Sequence, residues 1–253
     1  MQECPSNNQQ RLYDDLAWLW PIISPPEDYV KETKWFCKVI RQHSRRRVRT
    51  LLNLGCGGGH HDHTLKGCFE VTGVDTSEAM LQLARRLNPE CNYCRGDMRT
   101  LRLGMTFEAV TVFDSVNYML AVEDLQATFV TAFTHLAPGG VLLTLAEQTR
   151  ERFRQNRTYC STHAAGGAEI TFVQNYYDPD STDTTYEGIF VFLIHRQGHL
   201  EIETDRHLGG IFGLETWLDA LKIAGFEVMR MDFSTSGPES ETYPMLVGIK
   251  PLQ

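Results

Sequence analysis

The chain has 253 residues, of which 42% are hydrophobic and 22% charged, and a formal net charge of −8. This size fits one large α/β domain, or a domain with an insertion, around a sizeable core. The acidic balance argues against broad binding to nucleic acid or anionic membranes, and no apolar run reaches transmembrane length. Seven cysteines without framework spacing and a polar N-terminus without a signal-peptide core predict a cytoplasmic protein.

Two segments before the first strand carry apolar residues at helical spacing. The first, Arg11–Trp20, is predicted to form a helix that Pro21 ends, and a second helix is predicted from Pro26. We expect residues 1–49 to form a helical lid that covers the sheet or caps a ligand. The basic run at 41–49 is typical of a solvated helix end, although it also resembles a phosphate or RNA patch.

The stretch Thr50–Asp75 reads as a strand, a glycine-rich turn, a short helix and a second strand. The glycines from Gly55 to Gly59 let the backbone turn sharply and approach a ligand. A helix near His60–Leu65 would direct its free N–H groups toward that ligand. Asp75 ends the second strand, where an acid can hold both hydroxyls of a ribose. The stretch therefore predicts a nucleoside-bearing ligand at the carboxyl end of a parallel sheet.

Strands and helices continue to alternate through Ala146, which predicts a doubly wound, mostly parallel sheet. Ser77 is the expected N-cap of the next helix. Near the C-terminus, a helix ends at Gly225 and the last two strands are joined by a loop too short for a helical crossover, so they should pair as a hairpin. Further strands are predicted at Cys91–Arg95, Phe107–Phe113, Val141–Ala146, Phe226–Phe233 and Tyr243–Ile249.

Residues 148–212 interrupt this alternation. Three strands are predicted at Ala168–Tyr177, Thr185–Arg196 and His199–Leu208, with turn signals between them. We expect an antiparallel insertion over the carboxyl edge of the sheet, on the substrate side. Residues 50–147 and 213–253 would then form the ligand-binding domain, with seven strands and a terminal antiparallel one.

Several motifs in this order and spacing resemble those of the class I S-adenosylmethionine-dependent methyltransferases. They are LGCGGG at 54–59, GVDTSEAM at 73–80, GDM at 96–98, FDSVNYM at 113–119 and LAPGG at 136–140. The FDSVNYM segment and the insertion look like the branch that contains nucleotide-sugar N,N-dimethyltransferases. The resemblance implies S-adenosylmethionine as cofactor and methyl transfer to nitrogen or oxygen of a small-molecule acceptor by in-line displacement.

Two other functions stay open at this point. A nicotinamide-dependent oxidoreductase or epimerase also uses a glycine-rich turn, but such folds lack the terminal hairpin. A catalytically silent module could keep the S-adenosylmethionine pocket without transferring a methyl group. For partners we expect a small-molecule acceptor, no nucleic acid, no membrane, and a monomer or homodimer.

The resemblance also implies roles for individual residues at the cofactor. Asp75 would hold the ribose diol and Asp97 would accept from the adenine amino group, although each could instead be only a capping residue. The Tyr13 segment resembles the first helix that closes over the cofactor in small-molecule methyltransferases. The full predicted set of cofactor contacts is Tyr13, Asn53, Gly55, Cys56, Gly57, Gly59, His60, Asp75, Thr76, Met80, Asp97, Met98, Phe113, Asp114 and Ser115.

One position departs from the family pattern. The family often has Asp or Glu two residues before the first glycine, where it orients the ligand's amino group, and this chain has Asn53. An asparagine can accept a hydrogen bond but supplies no charge. We therefore expect either lower cofactor affinity or a substitute acid, for which Asp114 is the candidate.

Three residues are candidates for catalysis. Period-two spacing places His207 on one strand face with Glu201, Glu203 and Asp205. This face is either solvated or turned toward the substrate, and in the second case His207 would act as a base or hydrogen-bond partner. Tyr118 follows the fourth strand and could contact cofactor or substrate. The branch commonly ends its fifth strand in an acid. Here Leu145 occupies that position, and the nearest acid, Glu147, is the third candidate.

Two clusters resemble metal sites without predicting one. The run His60, His61, Asp62 and His63 has ligand-type side chains, but it opens the helix after the glycine turn, where His60 is better placed for the cofactor. The pair Cys91 and Cys94 is a lone C-x-x-C within a predicted strand. We therefore predict no metal.

Overall fold

The computed structural model describes residues 9–234 and 241–252. In it the strands form two separate sheets. The strands in chain order are β1 (Thr50–Leu54), β2 (Glu70–Asp75), β3 (Asn92–Arg95), β4 (Phe107–Val112), β5 (Leu136–Leu145), β6 (Arg157–Ala165), β7 (Ala168–Tyr177), β8 (Thr185–Arg196), β9 (His199–Gly210), β10 (Glu227–Ser234) and β11 (Thr242–Ile249). The α-helices are α1 (Trp20–Ile23), α2 (Val30–His43), α3 (His60–Leu65), α4 (Glu78–Leu87), α5 (Val122–His135) and α6 (Leu214–Ile223).

The larger sheet has seven strands in the order β10-β11-β5-β4-β1-β2-β3. Strands β1 to β5 are parallel to one another, whereas β11 runs antiparallel to both β5 and β10. The doubly wound sheet and its terminal hairpin are therefore confirmed. The central strands β1 and β4 are buried along nearly their whole length because helices cover both faces. The predicted loop between the two hairpin strands falls on residues 235–240, which lie outside the described residues.

Strand β5 starts at Leu136 rather than at Val141 as predicted, because the LAPGG segment belongs to it. Leu136 pairs with Phe107 of β4, and the register shifts before Ala109. Gly139 takes a positive φ of 76°, which lets the strand bend within this segment. The hydrogen bond from the Gly139 N–H to the Lys250 carbonyl joins the bend to the C-terminal segment.

The insertion is a four-stranded antiparallel sheet in the order β6-β7-β8-β9, so the prediction of three strands was wrong. The missed strand, β6, pairs with β7 from Arg157 opposite Tyr176 to Ala165 opposite Ala168. None of its residues is buried. An edge strand without a buried face lacks the apolar alternation by which strands are recognised in a sequence.

The N-terminal segment also differs from its prediction. Instead of one helix over Arg11–Trp20, it forms two short 3-10 turns, Arg11–Tyr13 and Ala17–Leu19, followed by α1. Pro21 does not end a helix but lies in the first turn of α1, where its missing N–H has no intrahelical partner to lose. The second helix begins as predicted, with a 3-10 turn at Pro26–Tyr29 that continues into α2.

Three cores hold these layers together. The α2 side of the sheet is filled around Phe36, and the opposite side around Trp217 of α6. In the third core, Leu12 and Leu19 of the N-terminal segment pack with Phe192 of the insertion. The N-terminal segment and the insertion therefore bury a common apolar surface, which holds both above the carboxyl edge of the sheet.

The basic run at 41–49 makes local structural contacts. Arg41 donates to the Cys68 carbonyl at 3.1 Å, Arg46 donates to the Pro138 carbonyl at 3.1 Å, and Arg45 forms an ion pair with Glu227. These contacts favour the interpretation as a solvated helix end. Within the described ranges, no helix has the length and apolar character needed to cross a membrane.

Candidate active site

A cavity of about 380 Å³ lies at the carboxyl ends of β1, β2 and β4. The glycine turn after β1 forms its floor, Asp75 and Asp114 stand at the ends of the next two strands, and Tyr13 of the N-terminal segment reaches it from above. This is the edge at which open α/β sheets bind nucleotides. We call it the cofactor cavity.

The turn itself requires glycine for two reasons. Gly55 and Gly57 have positive φ values of 69° and 52°, which side chains disfavour. A Cβ on Gly55 would also lie 2.0 Å from the Ser115 hydroxyl oxygen. The N–H groups of Gly55 and Cys56 both donate to the Val74 carbonyl of β2, at 2.7 and 2.9 Å. The turn is therefore tight, and its backbone borders the cavity without intervening side chains.

Asp75 combines a structural role with free capacity for a ligand. Its two carboxylate oxygens accept from the N–H groups of Gly57 at 2.8 Å and of Ser77 at 2.9 Å. Burial raises the pKa of Asp75, while these backbone donors lower it. A carboxylate has about four acceptor positions, so about two are left for the hydroxyls of a ribose.

Asp97 has fewer acceptor positions free for a ligand than Asp75 has, because Arg99 already donates to its carboxylate. The Arg99 backbone N–H and guanidinium donate to both Asp97 oxygens, at distances from 2.6 to 3.1 Å. These bonds lower the pKa of Asp97 despite partial burial. Arg99 also pairs with Asp124 at 3.0 Å. A contact between Asp97 and an adenine amino group stays a prediction, and it would compete with Arg99.

Aromatic side chains close the cavity from the N-terminal side. Trp20 stacks on His60 with 5.8 Å between ring centroids, and Tyr13 meets Trp20 edge to face at 5.9 Å. A Cβ on Gly58 would lie 2.8 Å from the Trp20 ring, so the tryptophan lies directly on the glycine turn. Tyr29 also lines the cavity. Burial and the neighbouring His61 lower the pKa of His60 to about 4, which keeps its ring neutral.

Asn53 lies under the glycine turn within a buried polar network. Its amide nitrogen donates to Asp62 Oδ1 of α3 at 2.8 Å, and its amide oxygen accepts from the Thr111 hydroxyl at 3.0 Å. Asp62 is fully buried, and its second oxygen accepts from the Tyr93 hydroxyl at 3.0 Å. The network therefore connects β1, β3, β4 and α3 beneath the cavity.

A second cavity, of about 330 Å³, lies between the first one and the insertion sheet. We call it the acceptor cavity. The two cavities share aromatic and acidic lining residues, and Glu147 and His207 line only the second. The shared residues are Tyr13, Trp20, Tyr29, Asp114 and Tyr118.

Three acidic side chains lie close together near the border between the cavities: Asp114 lines both cavities, Glu147 lines the acceptor cavity, and Glu32 lies outside both linings. Two acids as close as Glu147 and Asp114 oppose each other's ionisation, so Glu147 keeps its proton more readily than an isolated carboxyl group. Burial and the charge of Asp114 raise the pKa of Glu147 well above its ordinary value, and they raise the pKa of Glu32 to about 8. In the described chain, no lysine or arginine forms an ion pair with any of the three.

A hydrogen-bonded chain of four side chains crosses the shared wall. Tyr13 Oη lies 2.9 Å from Tyr118 Oη, Tyr118 Oη lies 2.6 Å from His207 Nδ1, and His207 Nε2 lies 2.6 Å from Asp205 Oδ2. Burial acts to raise the pKa of Asp205, but bonds from His207 and from the Leu12 N–H lower it overall. An ionised Asp205 fixes the proton of His207 on Nε2, so Nδ1 accepts from Tyr118.

A narrow extension of the acceptor cavity is lined by basic and aromatic side chains. This extension meets the acceptor cavity at Glu147, Gln148 and Tyr176. Arg152 stacks over the Tyr243 ring, with 4.7 Å from its guanidinium carbon to the ring centroid. The other lining residues include Phe153, Arg154, Arg157, Tyr159 and Glu241. We call this extension the basic mouth.

Comparison with known proteins identifies the family. A methyltransferase-domain profile matches residues 51–140. A dTDP-3-amino-3,6-dideoxy-alpha-D-glucopyranose N,N-dimethyltransferase of Streptomyces fradiae is 30% identical over 228 residues, which cover 88% of this chain and 87% of the relative. The chain belongs to the S-adenosylmethionine-dependent methyltransferases. Its cofactor is S-adenosylmethionine and its acceptor is a small molecule, so neither the nicotinamide-dependent alternative nor the silent module is favoured.

Two solved methyltransferases share the whole fold. DesVI of Streptomyces venezuelae has a TM-score of 0.80 and 26% identity, and the match covers 93% of this chain and 96% of DesVI. An amino pentose methyltransferase of Micromonospora echinaspora, solved with S-adenosylmethionine bound, has a TM-score of 0.75 and 28% identity, with coverage of 88% and 91%. Each match covers more of this chain than residues 50–147 and 213–253 alone.

The methyltransferase cavity brings together nearly all the predicted cofactor residues. Gly59 is the exception, because a Cβ there would meet Asn88, Tyr93 and Ala84 rather than the cavity. Gly59 is instead the N-cap of α3 and has a positive φ of 76°. The predicted residues that line the cavity are Tyr13, Asn53, Gly55, Cys56, Gly57, His60, Asp75, Thr76, Met80, Asp97, Met98, Phe113, Asp114 and Ser115.

The catalytic candidates also meet at one place in this methyltransferase, although 89 residues separate Tyr118 from His207 in the sequence. Asp205 and His207 are buried. The face they share with Glu201 and Glu203 is therefore not solvated along its whole length. Sequence reasoning missed the contributions of Glu32, Asp62, Arg99 and Asp205, which depend on contacts between distant segments.

Proposed function

We propose that this methyltransferase transfers methyl groups to the amino nitrogen of a nucleotide-linked amino sugar. The acidic cluster of Glu147, Asp114 and Glu32 carries this proposal. Three neighbouring carboxyl groups, none of which forms an ion pair with a lysine or arginine in the described chain, form a site that favours a cation, although the charge of Arg152 also acts on Glu147. An amino sugar would supply that cation as an ammonium group. The name of the Streptomyces fradiae relative, an amino-sugar N,N-dimethyltransferase, supports the same class of acceptor.

The arrangement of charges suggests how the acceptor loses its proton. An ammonium group has no lone pair for attack, so a base must accept a proton before the transfer. Glu147 is a stronger base than an ordinary carboxylate because its pKa is raised. We propose that the bound ammonium group lowers the pKa of Glu147 so that the proton of this carboxyl group leaves to water, and that Glu147 then takes a proton from the ammonium group while Asp114 keeps a compensating charge. Tyr118, held by His207, would hydrogen-bond the acceptor at the border between the cavities.

Bound S-adenosylmethionine supplies a methyl group on a positively charged sulfur, which needs no further activation. The protein has to align the acceptor and exclude water. The aromatic wall of Tyr13, Trp20 and Tyr29 fits this task, since all three border both cavities. We propose that residues 1–49, as far as they are described, act as a lid that completes the site.

The basic mouth supports a nucleotide-linked acceptor over a free amine. Three arginines, Arg152, Arg154 and Arg157, can contact a diphosphate, since guanidinium groups recognise phosphate oxygens in pairs. The rings of Tyr159 and Tyr243 could stack with a base. Glu241 pairs with Arg152 and Arg157, so binding of a diphosphate would exchange these ion pairs for phosphate contacts.

A transfer assay with matched acceptors tests the proposal. The enzyme is incubated with S-adenosylmethionine and a dTDP-linked 3-amino sugar, its 3-hydroxy counterpart, or the free amino sugar without the nucleotide. We expect methylation of the first acceptor, none of the second, and a much higher KM for the third. Equal activity on the hydroxyl counterpart would contradict amine specificity, and equal KM values would contradict a nucleotide contact. The sequence-based expectations of no nucleic-acid partner and a monomeric or homodimeric state stay predictions.

A further inference from the structure

We propose that Asp62 supplies the negative charge that holds the ammonium group of the cofactor's methionine moiety, acting through Asn53. The two residues lie beneath the glycine turn, where the amino-acid end of the cofactor is expected. Asn53 lines the cofactor cavity, and Asp62 lies behind it. Asp62 is therefore a positioning residue that acts on the cofactor through the amide of Asn53.

The first argument is that Asp62 is a buried acid without a counter-ion. Its side chain is fully buried, and its partners Asn53 and Tyr93 are both neutral. In the described residues, neither lysine nor arginine lies among its partners. Burial raises the pKa of Asp62 to about 6, so the carboxylate is ionised at neutral pH. A buried charge of this kind is costly unless a cation lies nearby.

The second argument is that Asn53 alone offers the ammonium group no charge. Its amide oxygen accepts from Thr111 and keeps one lone pair for a second donor, and its amide nitrogen donates to Asp62. The amide is neutral, so it can act on the ammonium group only through its dipole. The bond to Asp62 fixes the orientation of that dipole. Asp114, the substitute acid suggested by the sequence, borders both cavities but is not a hydrogen-bond partner of the Asn53 side chain, which bonds to Asp62 and Thr111. Asp62 is thus the acid closest in the hydrogen-bond network to position 53.

The geometry allows the charge to be exchanged between the two positions. In the double variant, which combines Asn53→Asp with Asp62→Asn, the new carboxylate at position 53 would accept from the Thr111 hydroxyl and from the new amide nitrogen at position 62. The amide oxygen at position 62 would accept from Tyr93. Every hydrogen bond of the network is then kept, and the charge moves one side chain closer to the cavity. The single variant Asn53→Asp would instead place two buried carboxyl groups in contact.

The test measures the affinities of three ligands by calorimetry for the wild type, Asp62→Asn and the double variant. S-adenosylmethionine and S-adenosylhomocysteine carry the ammonium group, whereas methylthioadenosine has the same nucleoside without the amino-acid moiety. We expect Asp62→Asn to weaken the binding of both ammonium-bearing ligands about tenfold. The free energy behind this change is a modest share of the attraction between nearby charges at an effective dielectric constant of about 20. Methylthioadenosine should change by less than about twofold, and the double variant should restore both affinities.

Several results would overturn this assignment. Equal weakening of all three ligands would show that Asp62 only maintains the shape of the turn, and unchanged affinities would show that it has no role. Melting curves establish whether each variant is folded. If Asp62→Asn does not fold, the double variant decides, because it keeps the network and the charge. A folded double variant that binds methylthioadenosine normally but has lost affinity for S-adenosylhomocysteine would refute the proposal.

Discussion

Replacing Asp75 with alanine tests whether the acid at the end of β2 holds the ribose. In the structure each carboxylate oxygen of Asp75 accepts one backbone N–H, from Gly57 and from Ser77. This leaves about two acceptor positions for the two ribose hydroxyls. Asp75→Ala removes these positions and also the bond that fixes Gly57 in the turn.

The magnitude follows from the number of bonds lost. A hydrogen bond to a charged group contributes about 1.5–3 kcal/mol net, and water would replace part of it in an open cavity. We therefore expect a total loss of about 1.5–3 kcal/mol of binding free energy, which is about a 10- to 150-fold weaker Kd. Both S-adenosylmethionine and S-adenosylhomocysteine should weaken equally, because they carry the same ribose.

Calorimetric titration of both ligands gives the required values. Glu70→Ala is the matched control, because Glu70 is an exposed acid at the opposite end of the same strand. Its removal changes the net charge equally, and it should leave both affinities unchanged. A change of less than about twofold for a folded Asp75→Ala would mean that the ribose is held elsewhere.

Three further predictions concern catalysis and stability. Glu147→Gln should lower kcat/KM for the amine about a hundredfold, as expected for loss of a general base, without weakening S-adenosylmethionine; an unchanged rate would exclude this role. His207→Asn should lower kcat about tenfold by releasing Tyr118, while the cofactor Kd stays constant; equal loss of cofactor binding would indicate a structural role. Burial lowers the pKa of His61 from 6.5 to about 4, so the unfolded chain takes up a proton that the folded one does not. The free energy of unfolding should therefore fall as pH drops from about 6.5 to about 4, and fall less steeply in His61→Gln. Urea titrations at several pH values would show it, and equal slopes would contradict it.

Local patterns predicted much of the cofactor domain. The glycine turn, the Ser77 N-cap and the terminal hairpin each depend on residues close together in the sequence. Ser77 accepts from the Met80 N–H at 3.1 Å, as its position before α4 indicated. Elements whose signals are local in this way were found with bounds close to those of the structure.

The errors have a common physical origin in tertiary packing. Strand β6 has no buried residue, so it has no apolar alternation, and only its pairing with β7 defines it. The segment Arg11–Trp20 has helical spacing, but its leucines pack on the insertion as two short turns instead. Neither outcome could be read from the local pattern, because a partner far along the chain decides each one.

The site shows the same division between local and distant information. The backbone around Gly55 and the acid at Asp75 were predicted from a single stretch of sequence. Asp62, in contrast, resembled one member of a metal-ligand cluster, and only the structure shows it bonded to Asn53 and Tyr93. Pairing of His207 with Tyr118 likewise depends on how the insertion folds over the sheet.

The most direct test of the proposed function is to locate the transferred methyl group. The enzyme would be given S-adenosylmethionine with an isotope-labelled methyl group and a dTDP-linked amino sugar, and the product analysed by NMR and mass spectrometry. The acidic cluster of Glu32, Asp114 and Glu147 predicts label on the amino nitrogen, with one and then two methyl groups added. Label on a hydroxyl oxygen, or no transfer to the amine despite measurable cofactor binding, would contradict it.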